Sequence, residues 1–293
     1  MKYCIRKTAI LAVCVAVFLT ACNKQKEQNA NDKINIAVSG YVAYSLAHTV
    51  FGDLANLTLL VPPGTEPHAF EPSSKTLLEV NKAENFFYIS ADIEPWAVKI
   101  SPKGESLAKN LPELLPNDPH VWMNFNNAQT MAQNLAGYIV KRYPDLEREI
   151  VKNYFALSNE IQNIKKSYSK VLTTCKNRTI YHIGHLAFGY VAHDYGLDFK
   201  ALFSADMDQE PSAKEIALLV KAIKESGAKY IFSEEQLNPA LANTIAKETG
   251  AQILMLNTIE GISKEDFENG KTYQDLMREN LQNLIIGLDC QGE

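Results

Sequence analysis

Positive charge is scarce in this sequence, and no stretch of it is rich in lysine or arginine. The chain has 293 residues, with 29 Lys and Arg against 34 Asp and Glu, which gives a formal net charge of −5 at pH 7. Without a basic face the chain is a poor match to nucleic-acid-binding proteins, so we expect no nucleic-acid partner. Its composition, 46% hydrophobic and 22% charged, is typical of a globular protein whose length suits about two domains.

Long hydrophobic runs are also lacking beyond the N-terminus. Ala9–Leu19 is an uncharged apolar run that follows three basic residues. It is shorter than the roughly 20 apolar residues that a membrane-spanning helix needs. A short apolar run behind basic residues is typical of an export signal.

The apolar run ends in Leu19-Thr20-Ala21-Cys22, which resembles the bacterial lipobox. The resemblance implies a signal peptide over residues 1–21, cleavage before Cys22 and acylation of the Cys22 sulfur. Residues 22–32 then form the lipidated cysteine and a polar, flexible tether. We therefore expect an extracytoplasmic protein anchored by lipid to a bacterial membrane, in the periplasm or at the cell surface. An ordinary signal peptide with an incidental cysteine is the alternative.

Cysteines are few, and most of them belong to the N-terminal segment. Cys4 and Cys14 lie in the predicted signal, and Cys22 is the predicted lipid attachment site. Only Cys175 and Cys290 remain, and in an oxidising compartment they can form a disulfide. Two free thiols are the alternative. Neither cysteine has a histidine or cysteine close by in sequence, so neither is predicted to bind metal.

Short apolar runs alternate with helical patterns on both sides of one continuous helical stretch. The predicted strands are Ile34–Val38, Leu57–Val61, Phe86–Ser90, Thr179–Gly184, Lys229–Phe232 and Gln252–Leu256. This alternation predicts an α/β fold with largely parallel sheets. We expect an N-terminal α/β lobe at 33–143, a long rigid backbone helix within 144–174 and a C-terminal α/β lobe at 175–293. Pro144 suits the start of that helix.

Three of the six histidines lie in loops that follow predicted strands. His68 ends a Pro/Gly-rich loop, His120 ends the turn Asn117-Asp118-Pro119, and His185 follows the strand that ends at Gly184. Ligands of open α/β sheets bind outside the carboxyl ends of the strands, and imidazole suits Zn²⁺. The three residues are far apart in sequence, so spacing alone is weak evidence for a metal site, and a histidine at the end of a strand more often has a structural role.

Ordered motifs along the chain resemble those of one transport family. The motifs are Leu60–Pro72, Glu94-Pro95-Trp96, Asp118-Pro119-His120-Val121-Trp122, His185–Tyr190, Glu210-Pro211-Ser212 and Ile231–Glu234. Together they resemble the metal-binding solute receptors of ABC transporters for zinc and manganese, the cluster A-I or cluster 9 family. The resemblance covers about 34–288. It implies two α/β lobes, a linking backbone helix and one metal site in the interlobe cleft.

The resemblance also implies a set of metal ligands. Carried over residue by residue, these are His68, His120 and His185. In the family that this chain resembles, the third ligand is His in zinc receptors and Glu in many manganese receptors. His185 at this position therefore favours Zn²⁺. Three imidazoles also disfavour a hard ion such as Mn²⁺.

The fourth ligand is where this sequence departs from the family. Many members of the family that this chain resembles have Asp at the position of Asn257. A neutral amide is a poorer zinc ligand than a carboxylate. Glu66, a water molecule, and Glu234 or its neighbour Glu235 are the alternatives to Asn257.

The function implied by the resemblance is capture of Zn(II) and its delivery to an ABC importer, with the permease and its ATPase as partners. We expect a monomer that is not an enzyme. A manganese or iron receptor on the same scaffold, a surface adhesin-like lipoprotein and a zinc hydrolase are the alternatives, although no His-Glu-x-x-His motif is present. Because imidazole ligands must be unprotonated, metal affinity is expected to fall below about pH 6.5.

Overall fold

The N-terminal half of the fold contains a parallel four-stranded sheet. A computed structural model describes residues 33–65, 67, 70–204, 210–234 and 239–291. The strands are β1 (Ile34–Val38), β2 (Ala55–Leu59), β3 (Asn85–Tyr88) and β4 (Glu105–Ser106), in the order β2-β1-β3-β4. All three strand pairings are parallel. The helices around this sheet are α1 (Tyr41–Phe51), α2 (Ser74–Lys82) and α3 (Pro95–Ile100).

Two long helices follow the first sheet. The side chain of Asn124 caps α4 (Phe125–Arg142) by accepting from the backbone N–H groups of the second and third residues after it. A 3-10 turn at Pro144–Leu146 then leads into α5 (Glu147–Leu172), which has 26 residues and is therefore about 39 Å long. The predicted long helix is confirmed. Its buried side chains recur at helical spacing, so that one stripe of the helix packs against the core.

The C-terminal half contains a second parallel sheet of the same design. Its strands are β5 (Thr179–Ile183), β6 (Asp198–Ala201), β7 (Tyr230–Ser233) and β8 (Gln252–Met255), in the order β6-β5-β7-β8. The helices are α6 (Gly189–Tyr195), α7 (Ala213–Ser226), α8 (Pro239–Thr249), α9 (Lys264–Glu268) and α10 (Tyr273–Gly287). Gly196 and Gly227 adopt left-handed conformations after α6 and α7, which is common for glycine at the end of a helix. The two parallel sheets confirm the predicted fold class.

The two sheets share a continuous core through α4, α5 and α10. One cluster of buried side chains includes residues from β1, β3, β5 and β7 together with these three helices. Helix α10 joins the halves directly: the Tyr273 hydroxyl donates to the Trp122 carbonyl at 2.8 Å, and the Tyr273 N–H donates to Oγ of Ser45 at 2.7 Å. The carboxyl ends of both sheets therefore hold fixed positions next to these helices.

A disulfide connects the end of the chain to the segment after α5. Cys175 and Cys290 are bonded to each other, so of the two alternatives, a disulfide or two free thiols, the structure has the disulfide. Backbone N–H groups of Lys176 and Asn177 donate to the carbonyls of Asp289 and Leu288. The predicted signal peptide, Cys22 and tether lie outside the described residues. Across the described ranges, no helix combines the length and hydrophobicity needed to cross a membrane.

Candidate metal centre

Three buried side chains from separate segments converge where the ends of the two sheets meet. They are His120 from the loop before α4, His185 from the loop after β5, and Glu260 from the loop after β8. The Nε2 atoms of the two histidines lie 3.1 Å apart. Oε1 of Glu260 lies 3.2 Å from Nε2 of His120, and Oε2 of Glu260 lies 3.1 Å from Nε2 of His185. Two imidazole nitrogens and the carboxylate therefore face one common point.

The spacing of these donors fits a tetrahedral zinc ion. Two ligand atoms that are each about 2.0 Å from a tetrahedral ion lie about 3.3 Å from each other. The observed separations of 3.1 to 3.2 Å are close to that value. Within the described part of the chain, no other group of three His, Cys, Asp or Glu side chains is arranged in this way.

A carboxylate fixes the orientation of the His120 ring. Oδ1 of Asp118 lies 2.8 Å from Nδ1 of His120 and accepts from the His120 backbone N–H at 3.0 Å. With the hydrogen of the ring on Nδ1, the lone pair of Nε2 points towards the shared centre. Trp122 packs edge-on against the ring, with centroids 5.5 Å apart. These contacts hold the ring in place before any metal arrives.

His185 is held in the same way by a different carboxylate. Glu234 lies 2.9 Å from Nδ1 of His185 and accepts from the His185 backbone N–H at 2.6 Å. This close approach depends on Gly184, since a Cβ at that position would lie 2.0 Å from the Glu234 carboxylate. Two imidazoles thus present Nε2 to the centre, and each has a carboxylate behind it.

Carboxylates around the site favour positive charge on both rings. Burial opposes a charged imidazole, but the carboxylates of Glu234 and Glu260 outweigh this effect and raise the pKa of His185 to about 10. For His120, burial again opposes protonation, while Glu260 and Asp118 raise the pKa above its ordinary value. A site that attracts protons this strongly also attracts a dication, and the two compete for the same Nε2 atoms.

His182 lies beside the cluster without sharing its centre. Its Nδ1 is 3.2 Å from the His185 carbonyl, and its Nε2 is 3.8 Å from the Glu234 carboxylate. The rings of Phe188 and Phe199 pack against it. Burial is the main cause that lowers the pKa of His182 to about 4, so the ring is neutral near pH 7. Its role is to support the His185 loop.

A small pocket opens beside Glu260. Its volume is about 350 Å³, including space open to solvent, and its walls include Pro67, Trp96 and Trp122. Glu94 and Glu260 are the acidic residues of this lining. Burial raises the pKa of Glu94 to about 7, and the nearby Glu260 adds to the rise. The pocket is mostly apolar and reaches the Glu260 carboxylate of the centre.

The predicted ligands have different positions in the structure. His120 and His185 are brought together, whereas His68 and Glu66 lie outside the described residues. Glu234 contacts the Nδ1 side of His185, away from the shared centre. Oδ1 of Asn257 accepts the backbone N–H two residues later at 2.8 Å.

Sequence reasoning missed Glu260 altogether. It is the only acidic residue in the loop between β8 and α9. That position, after the end of a parallel strand, was the signal that could have identified it.

The chain is similar to several known zinc-binding proteins. The zinc-binding lipoprotein AdcA of Streptococcus pneumoniae is 33% identical over 97% of this chain, which spans 61% of that protein. The high-affinity zinc uptake system protein ZnuA of Bacillus subtilis is 30% identical over 94% of this chain and 95% of that protein. The crystal structure of the Zn(II)-bound ZnuA-like domain of AdcA is similar over 88% of this chain and all of that domain, with a TM-score of 0.78 and 33% identity. Residues 36–286 match the family model described as zinc-uptake complex component A, periplasmic. The chain therefore belongs to the periplasmic zinc-uptake component A family.

Proposed function

We propose that this protein is an extracytoplasmic receptor that captures Zn(II) and delivers it to an ABC importer. The observation that carries the proposal is the convergence of His120, His185 and Glu260 at coordination spacing. The chain spans about three fifths of the length of the AdcA protein of Streptococcus pneumoniae. The proposed activity is therefore argued from the site and not from that whole protein. Its partners would be the permease and the ATPase of the importer.

The proposed ligand set is His68, His120, His185 and Glu260. Pro67 lines the same pocket as Glu260, which supports an approach of the neighbouring His68 to the centre. Three imidazole nitrogens and one carboxylate oxygen are a common zinc donor set, while Mn²⁺ prefers oxygen ligands. This chemistry favours zinc over the manganese alternative. Glu260 replaces Glu66, Asn257 and Glu234 as the proposed fourth ligand.

The proposed domain organisation follows from the same site. Lobes at 33–143 and 175–293 would contribute ligands from both sides, with the backbone helix within 144–174 limiting their relative motion. Acylation at Cys22 would hold the receptor at the membrane next to its permease. The protein would act as a monomer. It would not act as an enzyme, because four protein ligands would leave no open zinc position for catalysis.

Metal analysis of the purified protein tests the zinc assignment. We expect about one zinc per chain, retained in the presence of equimolar Mn²⁺. His120→Ala should weaken zinc binding by more than about 10- to 100-fold, which is the loss typical when a residue that hydrogen-bonds to a metal ligand is removed. His193→Ala is the matched control, because the His193 side chain is 63% exposed. Equal zinc affinity in both variants would contradict the proposal.

Growth under zinc limitation tests delivery. A strain that lacks this protein should recover with the wild-type gene and not with His120→Ala. Recovery with both genes would favour an adhesin-like role in which the metal is incidental.

A further inference from the structure

The backbone immediately before Glu260 is held in an unfavourable conformation. Ile259 has a φ of 66°, in the left-handed region, and its side chain is fully buried. β-branched residues rarely adopt this conformation because of steric conflict with the backbone. The other described non-glycine residues with positive φ are asparagine or aspartate, which tolerate it better. Something must therefore hold Ile259 in place.

The side chain of Asn257 provides that constraint. Its Oδ1 accepts from the Ile259 backbone N–H at 2.8 Å and closes a tight turn. The buried side chain of Asn280 on α10 forms hydrogen bonds with both the backbone N–H and the backbone carbonyl of Asn257. Its Oδ1 accepts from the Asn257 N–H at 2.7 Å, and its Nδ2 donates to the Asn257 carbonyl at 2.8 Å. The Trp122 indole N–H donates to the Thr258 carbonyl at 2.8 Å. The turn is thus fixed from two neighbouring elements.

This turn determines where the next side chain points. A return of Ile259 to an ordinary negative φ would rotate the following peptide by more than about 100°. That rotation would carry Glu260 away from the Nε2 atoms of His120 and His185, which it now approaches within 3.2 Å. Ligand sites lose affinity when the groups that orient a ligand are removed.

We propose that Asn257 is a positioning residue that aims Glu260 at the metal by holding Ile259 in the left-handed conformation. The inference rests on the proposed zinc-binding function. It gives Asn257 a role that acts through Glu260 and requires no bond between its amide and the ion.

Zinc competition titrations of Asn257 variants test the inference. Asn257→Ala should lower zinc affinity about 10- to 100-fold. Asn257→Asp should restore it, because a carboxylate oxygen accepts the same Ile259 N–H. Asn257→Ser, with a shorter acceptor, should fall between them. If the alanine variant does not fold, the test is whether Asn257→Asp binds zinc more tightly than Asn257→Ser.

A second background separates positioning from direct ligation or general destabilisation. On a Glu260→Ala background, Asn257→Ala should cause no further loss of affinity, and Asn257→Asp should cause no gain. The visible spectrum of the Co²⁺-loaded protein should change in Asn257→Ala as it does in Glu260→Ala. Asn134→Ala is the matched control, since the Asn134 side chain also bonds to the backbone, donating from Nδ2 to two carbonyls, but lies in α4, outside the metal centre.

The outcomes distinguish the two proposals. Failure of the wild-type protein to bind zinc would refute the proposed function. Normal zinc binding by wild type together with unchanged affinity in Asn257→Ala would overturn the positioning role alone. So would an equal loss on the wild-type and Glu260→Ala backgrounds.

Discussion

Lowering the pH from about 7.5 to about 5.5 is expected to weaken zinc binding at least 100-fold. Zinc binds neutral imidazole, and in the metal-free site Glu234 and Glu260 outweigh burial and raise the pKa of His185 to about 10. The ring is therefore protonated across this interval, and zinc must displace a proton at every pH. Each displaced proton lowers the apparent affinity about tenfold per pH unit. His120, whose pKa is also raised, adds to the fall.

The change in affinity above neutral pH separates this site from ordinary imidazole ligation. Two unperturbed imidazoles with a pKa of about 6.5 would also lose about 100-fold in affinity between about pH 7.5 and about pH 5.5, but their affinity would be almost constant above about pH 7.5. The sequence alone placed the onset of the fall near that pKa. The carboxylates behind and between the rings move the onset above neutral pH, so affinity should still rise between about pH 7.5 and about pH 8.5.

Competition with a chromophoric zinc chelator of known pH dependence measures these affinities. Calorimetry in two buffers with different ionisation enthalpies counts the protons released, and we expect at least one per zinc near pH 7.5. His193→Ala should reproduce the wild-type profile. An affinity that stays level between about pH 7.5 and about pH 8.5, with less than one proton released per zinc near pH 7.5, would refute the electrostatic account of the site.

Two further predictions concern packing and cross-linking. Gly184→Ala should lower zinc affinity about 10- to 100-fold, because the new Cβ would displace Glu234. Gly137→Ala is the control, because its added Cβ meets nothing within 4 Å. It should leave zinc affinity unchanged in titrations and raise the free energy of unfolding in urea by about 0.5–1 kcal/mol. Equal affinity losses in both variants would contradict the role of Gly184. Reducing the Cys175–Cys290 disulfide, which joins positions 115 residues apart, should lower the free energy of unfolding by about 4–5 kcal/mol. An unchanged urea midpoint after reduction would contradict this.

Elements with a strong hydrophobic period could be predicted from the sequence, and weakly patterned ones could not. Strand β1 and helix α5 have regular buried positions, so their patterns gave nearly correct bounds. The edge strand β6 has only four residues and none is buried, so its polar–apolar alternation is too short to predict a strand. Helix α10 buries the polar side chains of Gln274 and Asn280 among apolar ones, which obscures its amphipathic period.

The site shows a similar division. His120 and His185 were predicted as neighbours because both follow the ordered motifs of the resemblance, and their rings lie 4.9 Å apart. Glu234 was predicted as a possible fourth ligand, whereas in the structure it contacts Nδ1 of His185; sequence does not distinguish the Nδ1 side of an imidazole from its Nε2 side. Glu260 lies in none of the motifs of the resemblance, and only the three-dimensional turn shows that the side chain of residue 257 orients residue 260.

Zinc-edge anomalous diffraction from crystals of the zinc-loaded protein would locate the metal among its ligands. We expect a single strong peak that lies about 2.0–2.2 Å from Nε2 of His120, Nε2 of His185 and one carboxylate oxygen of Glu260. A zinc ion bound elsewhere on the chain, with these three side chains not coordinating it, would contradict the account.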